Sequence, residues 1–257
     1  MAQTLSGAQR LAVAQAFIGC AGWALPRDVQ DRFPGEGSHL QRYAGQLPVV
    51  EINSSFHRPH RHAVYARWAA SVPPHFRFAV KLPKTITHVA KLRGGAVELD
   101  EFLGQATGLG EHLGCLLVQL PPSLAFEAEV AGTFLDLLRT RWAGPVSLEP
   151  RHASWFTGEV DLCLAARHIA RVLADPVLHP GGERPGGWDG FAYLRLHGSP
   201  RTYYSSYPLK LLRALARRLA RAAREGQPVW CIFDNTAAGA AAGNALVLQE
   251  CLRAEPA

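Results

Sequence analysis

The 257-residue sequence is short of the features that cross-link a protein, anchor it or load it with a cofactor. Its five cysteines, at 20, 115, 163, 231 and 251, stand far apart and form no C-x-x-C pair. That pattern excludes a disulfide scaffold or a zinc ribbon and fits reduced thiols in a cytoplasmic protein. No apolar run approaches the ~18 residues of a membrane span, so no membrane partner is expected. The N-terminal MAQTLSGAQRLAVAQAFIG has no basic start before an apolar core, and Arg10 interrupts it, so no signal peptide is read there. Low-complexity linkers and breaks in composition are also missing. We therefore expect one domain over 1–257, with 1–15 as an N-terminal extension.

Chemical motifs are equally sparse. No G-x-G-x-x-G follows the first apolar run, and no nicotinamide, flavin or pyridoxal signature is present, so no cofactor is expected. The H-E-x-x-H spacing of a metal helix is absent, and no metal is expected. Ser54, Ser55 and Ser154 lie near histidines but in no G-x-S-x-G elbow.

What is present is an alternation. Eight apolar runs recur at 17–20, 48–53, 76–81, 115–120, 146–149, 170–175, 192–197 and 229–234. Each has the length and the β-branched or aromatic content of a buried strand. Helical patterns lie between them: HLQRYAGQL with Ser38 as cap, HAVYARWAASV, EAEVAGTFLDLLRTR, LKLLRALARRLARAARE and AAAGNALVLQECL. Strand and helix repeated eight times predict an α/β protein, a single (β/α)8 TIM-type barrel with a parallel eight-stranded core and outer helices. The alternative is an open doubly wound sheet.

The formal charge is +6 and the pI about 9.3. Much of it comes from Lys210, Arg213, Arg217, Arg218, Arg221 and Arg224. Leu211, Leu212, Leu215 and Leu219 recur among them at helical spacing, as on an outer helix with a solvated face. The same residues would also suit nucleic acid or an acidic partner, and charge alone does not separate the two.

In a barrel, binding and catalytic groups collect at the C-terminal ends of the strands. Every run but the first delivers a polar group there. Trp23 follows the first. Glu51 and Asn53 come from the second, Lys81 from the third, Gln119 from the fourth and Glu149 from the fifth. Asp175 ends the sixth, Arg195 and His197 the seventh, and Asp234 and Asn235 the eighth. The stretch VSLEPRHASWF is the densest: a strand ends in Glu149, and Arg151, His152, Ser154 and Trp155 follow at once. Placing such groups in a barrel mouth costs several kcal/mol unless they are paired, and function is the usual reason.

These segments resemble the YecE-like family, domain-of-unknown-function family 72. IGCAGWALP, VVEINSSFHRPH, VPPHFRFAVKLPKTITH, LGCLLVQLPPS, SLEPRHASWF, YLRLHGSPRTYY and FDNTAAGAAAGNAL carry the likeness in the family's order. The resemblance implies a TIM-type barrel and the place of its site, and supplies no reaction. Cys20 stands where relatives often have threonine, which weakens a cysteine nucleophile. His57 replaces a common tyrosine, Pro150 a common phenylalanine, and Asp234 an expected asparagine.

Glu51 and Glu149, with His152 and His197, are the candidate acids and bases. Glu149 is the first choice. The competing reading is a buried ionic network of the carboxylates with Lys81, Arg151 and Arg195. Those three cations suit carboxylate or phosphate oxygens. Asn53, Gln119, Asp175, Tyr203, Asp234, Asn235 and Trp23 are candidate ligand contacts. The small residues after Asp234 resemble a barrel phosphate site or mere tight packing. The Tyr203–Tyr204 loop reads as a lid, a wall or plain surface. The expected partner is thus a small polar or anionic compound, phosphorylated metabolites and sugars included, acted on by a hydrolase or isomerase. The alternatives are a nucleic-acid-binding or nucleic-acid-processing protein and a non-catalytic ligand sensor.

Overall fold

A computed structural model describes residues 16–256; the expected extension at 1–15 lies outside them. The strands are β1 (Ala16–Ala21), β2 (Val49–Ile52), β3 (Arg77–Lys81), β4 (Leu113–Gln119), β5 (Val146–Glu149), β6 (Ile169–Arg171), β7 (Leu173–Asp175), β8 (Gly186–Gly187), β9 (Ala192–Leu196) and β10 (Val229–Phe233). They form one sheet in the order β7-β9-β10-β1-β2-β3-β4-β5-β6-β8. All pairings are parallel except β6 with β8. The helices are α1 (His39–Ala44), α2 (Ser54–His57), α3 (His62–Ala69), α4 (Ala96–Ala106), α5 (Ala128–Arg141), α6 (Gly158–Ala165), α7 (Leu209–Arg224) and α8 (Ala240–Ala254).

The barrel is the one expected, with two differences. Ten strand segments replace eight: the two-residue β8 is added, and the sixth run breaks at Val172. Its first half pairs with β5 and its second with β9, so this one stretch of chain joins the two edges of the sheet. The second difference follows it. No helix lies between β7 and β9; the chain runs through a loop that adds the two-residue β8. Pro176, Pro180, Gly181, Gly182, Pro185, Gly186 and Gly187 crowd this loop, and such residues break helices.

Alternation along the strands sorts the side chains. Val50, Phe78, Val80, Leu116, Leu148, Leu194 and Phe233 join the large core under the helices. Val49, Ala79, Cys115, Leu117, Ala170, Val172, Tyr193, Trp230 and Ile232 form a second cluster inside the barrel. Trp230 stacks there between Phe17, at 5.0 Å, and Tyr193, at 5.9 Å. Two residues further along the same strands, the inward positions become Glu51, Lys81, Gln119, Glu149 and Arg195. The apolar plug thus carries the polar mouth directly on top of it. The sides of the barrel fit closely: a Cβ at Gly19 would stand 2.0 Å from the Val49 carbonyl oxygen, so β1 requires glycine there.

Ser38 caps α1 in a capping box with Gln41. On α7, Leu212, Leu215, Ala216, Leu219, Ala220 and Ala223 are buried, while Lys210, Arg213, Arg217, Arg218, Arg221 and Arg224 are exposed. Among the described residues no helix is long and apolar enough to cross a membrane.

Candidate functional site: a buried ionic network at the barrel mouth

Arg195 is the hub. Its guanidinium is wholly buried and donates from Nη2 to Glu51 Oε1 at 2.6 Å and from Nε to Glu51 Oε2 at 3.0 Å. Nη1 reaches Glu149 Oε2 at 2.6 Å and Gln119 Oε1 at 3.2 Å, and Nη2 also reaches Asp234 Oδ2 at 3.0 Å. Below it, Tyr193 donates its hydroxyl to Glu51 Oε2 at 2.8 Å, tying the network to the plug. A planar fork with five N–H donors is the one side chain that can serve four acceptor groups at once.

His197 is bracketed by acids. Its Nδ1 lies 2.9 Å from Asp234 Oδ2 and its Nε2 3.0 Å from Glu149 Oε1. Burial pulls the imidazole down, but Glu149 and Asp234 together outweigh it, and the group lies above its ordinary value. Arg151 Nη2 stands 2.5 Å from Glu149 Oε1 and 3.0 Å from His197 Nε2. Burial pushes Glu149 up, yet Arg195, His197 and Arg151 hold it well below the carboxylate range. Asp234 is lowered too: burial opposes ionisation, and Arg195 and His197 overcome it. Burial pushes Arg195 down, but Glu51, Glu149 and Asp234 raise it well above its ordinary value.

Lys81 differs from the other cations. It is 8% exposed, and no ion pair of it is found among the described residues. Its Nζ stands 4.0 Å from the centre of the Phe56 ring. Burial first, and then the Arg195 charge, bring the amine down from 10.5 to about 8, although Glu51, Glu149 and Asp234 pull the other way.

The other candidates fall into two groups. Asn53 joins the mouth, with Nδ2 3.5 Å from Asp234 Oδ1. Tyr203, at φ 68°, sets its ring edge-on to His197 at 5.7 Å, and its backbone N–H donates to the His197 carbonyl oxygen. Its loop is pinned: Tyr207 donates to Asp175 Oδ2 at 2.6 Å, and Asn235 Nδ2 donates to the Ser205 carbonyl oxygen at 2.9 Å. Asp175 and Asn235 therefore hold the wall that Tyr203 forms. His152 is not joined to the network; its Nδ1 engages Ser154 at the start of a short helical turn. Trp23 packs edge-on against Trp68, and Trp155 is buried with Nε1 on the Leu124 carbonyl oxygen. At the small-residue segment, the Ala237 N–H already donates to the Tyr203 carbonyl oxygen.

Sequence reasoning missed two contributors. Phe56, on α2, is the floor under Lys81. His88 lies on a π-helical turn at Thr85–Val89, 4.8 Å from the Phe56 ring, and burial, then Lys81 and Arg151, lower its imidazole. π-turns often mark functional sites. The H-x-H spacing at His60 and His62 is no ligand pair, since His60 bonds Ser54 Oγ at 2.7 Å and His62 opens α3. Among the described residues no cluster of His, Cys, Asp or Glu is disposed to hold a metal. Cys20 is buried, which pushes its thiol up to about 12. A cavity of about 410 Å³ lined by Ala16, Phe17, Pro48 and His75 includes none of the network residues.

Strands in a parallel ring, helices around it and charged groups at the strand C-termini define a TIM-type α/β barrel with a mouth site. The chain belongs to the family described as protein of unknown function DUF72, whose model matches residues 17–257. UPF0759 protein YecE of Escherichia coli K12 is 30% identical over 165 residues, 62% of this chain and 58% of that protein. UPF0759 protein YunF of Bacillus subtilis is 22% identical over 93% of this chain and 95% of its own. A DUF72 family protein of Thermotoga maritima superposes with a TM-score of 0.76 at 25% identity, over 93% of this chain and 99% of that one. One from Enterococcus faecalis gives 0.78 at 21% identity, over 94% and 97%, and shows the same fold.

Proposed function

We propose that the barrel mouth binds a small anionic compound and moves a proton on it, as a hydrolase or isomerase. One observation carries this reading: the mouth holds polar groups whose partners are missing. Arg151 Nε and Asn53 Oδ1 are buried with no hydrogen-bond partner, and Lys81, at the end of a strand of the same mouth, has no ion pair among the described residues. A buried donor left unpaired costs about 1–3 kcal/mol. A carboxylate or phosphate placed between Arg151 and Lys81 would satisfy the cations.

The charge count supports an anion. Glu51, Glu149 and Asp234 balance Arg195, Arg151 and Lys81, and a protonated His197 leaves one positive charge over. Two groups are shifted from their ordinary values, His197 upward from 6.5 and Lys81 downward from 10.5 to about 8. These are the proton carriers in this reading. Glu149, held ionised by three cations, serves instead to position Arg151 and His197. Five unpaired cysteines favour a reducing, cytoplasmic setting.

A thermal-shift panel of phosphorylated sugars, carboxylates, nucleotides and oligonucleotides tests the reading. A ligand at 100 times its dissociation constant stabilises the fold by about 2.7 kcal/mol. We expect a small anion to do so, and the shift to vanish in Arg151→Ala. An Arg151→Ala protein that keeps the full shift would overturn the assignment. The exposed basic face of α7 supports a second reading, nucleic-acid binding. Oligonucleotide affinity that falls steeply with salt would favour it over the mouth.

A further inference from the structure

We propose that Lys81 is a covalent nucleophile, whose amine forms an imine with a small carbonyl compound that carries a carboxylate or phosphate. This rests on the mouth being an anion site and adds the chemistry that anion undergoes.

Three observations converge on Lys81. The first is its isolation. Three carboxylates lie in the same mouth, yet Arg195 contacts all of them, and Lys81 has no ion pair among the described residues. A lysine present only for charge would be paired with one of them. The second is its surroundings. Nζ is buried over the Phe56 ring, and the His88 ring packs at a steep angle to that ring, 4.8 Å away. An apolar wall with cations nearby favours the neutral amine, and the neutral amine is the nucleophile. Phe56 is the opposing influence, because an aromatic face attracts an ammonium. Burial first, and then Arg195, bring the group down to about 8 against the pull of Glu51, Glu149 and Asp234. The third is Arg151, whose buried Nε is unpartnered and suits the anionic end of the same compound.

The step balances without an oxidant or reductant. The Nζ lone pair attacks the carbonyl carbon, and the C=O π pair moves to oxygen. A proton passes from nitrogen to that oxygen, giving a carbinolamine. A second proton, taken up at the hydroxyl, releases water as the nitrogen lone pair forms C=N. One neutral amine, one carbonyl and one proton thus give one protonated imine and one water. The imine then draws electrons from the neighbouring carbon, so proton removal or bond cleavage there becomes accessible.

The full chain, incubated separately with pyruvate, glyoxylate and dihydroxyacetone phosphate, is reduced with sodium borohydride and weighed intact. Hydride converts an imine to a stable secondary amine. We expect one adduct, heavier by the compound less one oxygen, mapping to the peptide that holds Lys81. Its yield should rise as pH passes through 8. Lys81→Arg should abolish it, while Lys84→Arg, at an exposed neighbour, should leave it unchanged. Adduct spread over Lys84, Lys91 and Lys210, or undiminished in Lys81→Arg, overturns the proposal. Lactate and glycerol phosphate separate the two layers of the argument. If these and their carbonyl counterparts stabilise the wild-type fold with no adduct at Lys81, the imine fails and the anion site stands. If none of them stabilises the fold and none is trapped, both fail.

Discussion

The barrel interior has two storeys built on opposite physics. In the lower one, Phe17, Trp230 and Tyr193 stack with Val49, Leu117 and Ile232, and the Tyr193 hydroxyl is satisfied by Glu51. In the upper one, two strand positions away, Arg195, Glu51, Glu149, Asp234 and His197 are buried together. The lower storey gains from leaving water. The upper one loses hydration that its ion pairs only offset. A chain selected for stability alone would continue the plug upward. That it switches to charge within one strand is the contrast on which the proposed mouth site rests.

Breaking each storey at its centre gives the largest effects. Arg195→Met strands three carboxylates beside an apolar side chain, and urea unfolding should show a loss of about 4–5 kcal/mol. A loss below 1 kcal/mol would mean the carboxylates are not held as an ionised cluster. Trp230→Ala opens a cavity in the plug and should cost about 3–4 kcal/mol, with ligand-induced stabilisation retained. Lys81→Met should go the other way. Its amine is depressed from 10.5 to about 8 in the fold, so removing it should stabilise the protein by about 2–3 kcal/mol at pH 7 while weakening anion binding.

The pH dependence sharpens the contrast, because the upper storey titrates. His197 is raised in the fold above 6.5, so its stabilisation is full below that value and fades as pH climbs through its folded pKa. Asp234 is lowered below 3.8, so its contribution is present above that value and is lost as pH falls further. Lys81 has the opposite alkaline slope: between about 8 and 10.5 the unfolded chain binds the extra proton, and stability rises with pH. In a Lys81→Met background, unfolding free energies should therefore decline from pH 5 to 9. His197→Gln should flatten that decline. The smallest effect is expected at Tyr203→Ala, within about 0.5 kcal/mol, since the ring is exposed and its loop is held by Tyr207 and Asn235.

Most of the mouth was legible because strand ends are legible. Glu51, Lys81, Gln119, Glu149, Arg195 and Asp234 each interrupt an apolar run at its C-terminal side, and a parallel barrel turns that position into a place. The pairing was less so. Nothing in the order of residues says that Arg195 takes all three acids and leaves Lys81 alone; that depends on inter-strand register, such as Arg195 beside Ile232 and Gln119 beside Glu149. His88 was invisible because its loop folds back onto Phe56, and a single sequence carries no signal for that return. His152, beside Glu149 in the chain, is turned aside by Ser154, so nearness in sequence misled. The missing helix after the sixth strand was written openly in the prolines and glycines of 176–187, but the repeating strand–helix rhythm overrode them.

The broken sixth strand has a consequence for how the ring breathes. Around the rest of the ring each strand holds its two neighbours over a shared length, and β10 meets both β1 and β9 at five residue positions. Between β5 and β9 the barrel is closed by a single strand that grips one neighbour with its first three residues and the other with its last three. Neither half supports the other across the seam, so a local opening there need not melt the adjoining strands. Its upper end is Asp175, at the rim of the charged storey, so this seam runs up to the mouth.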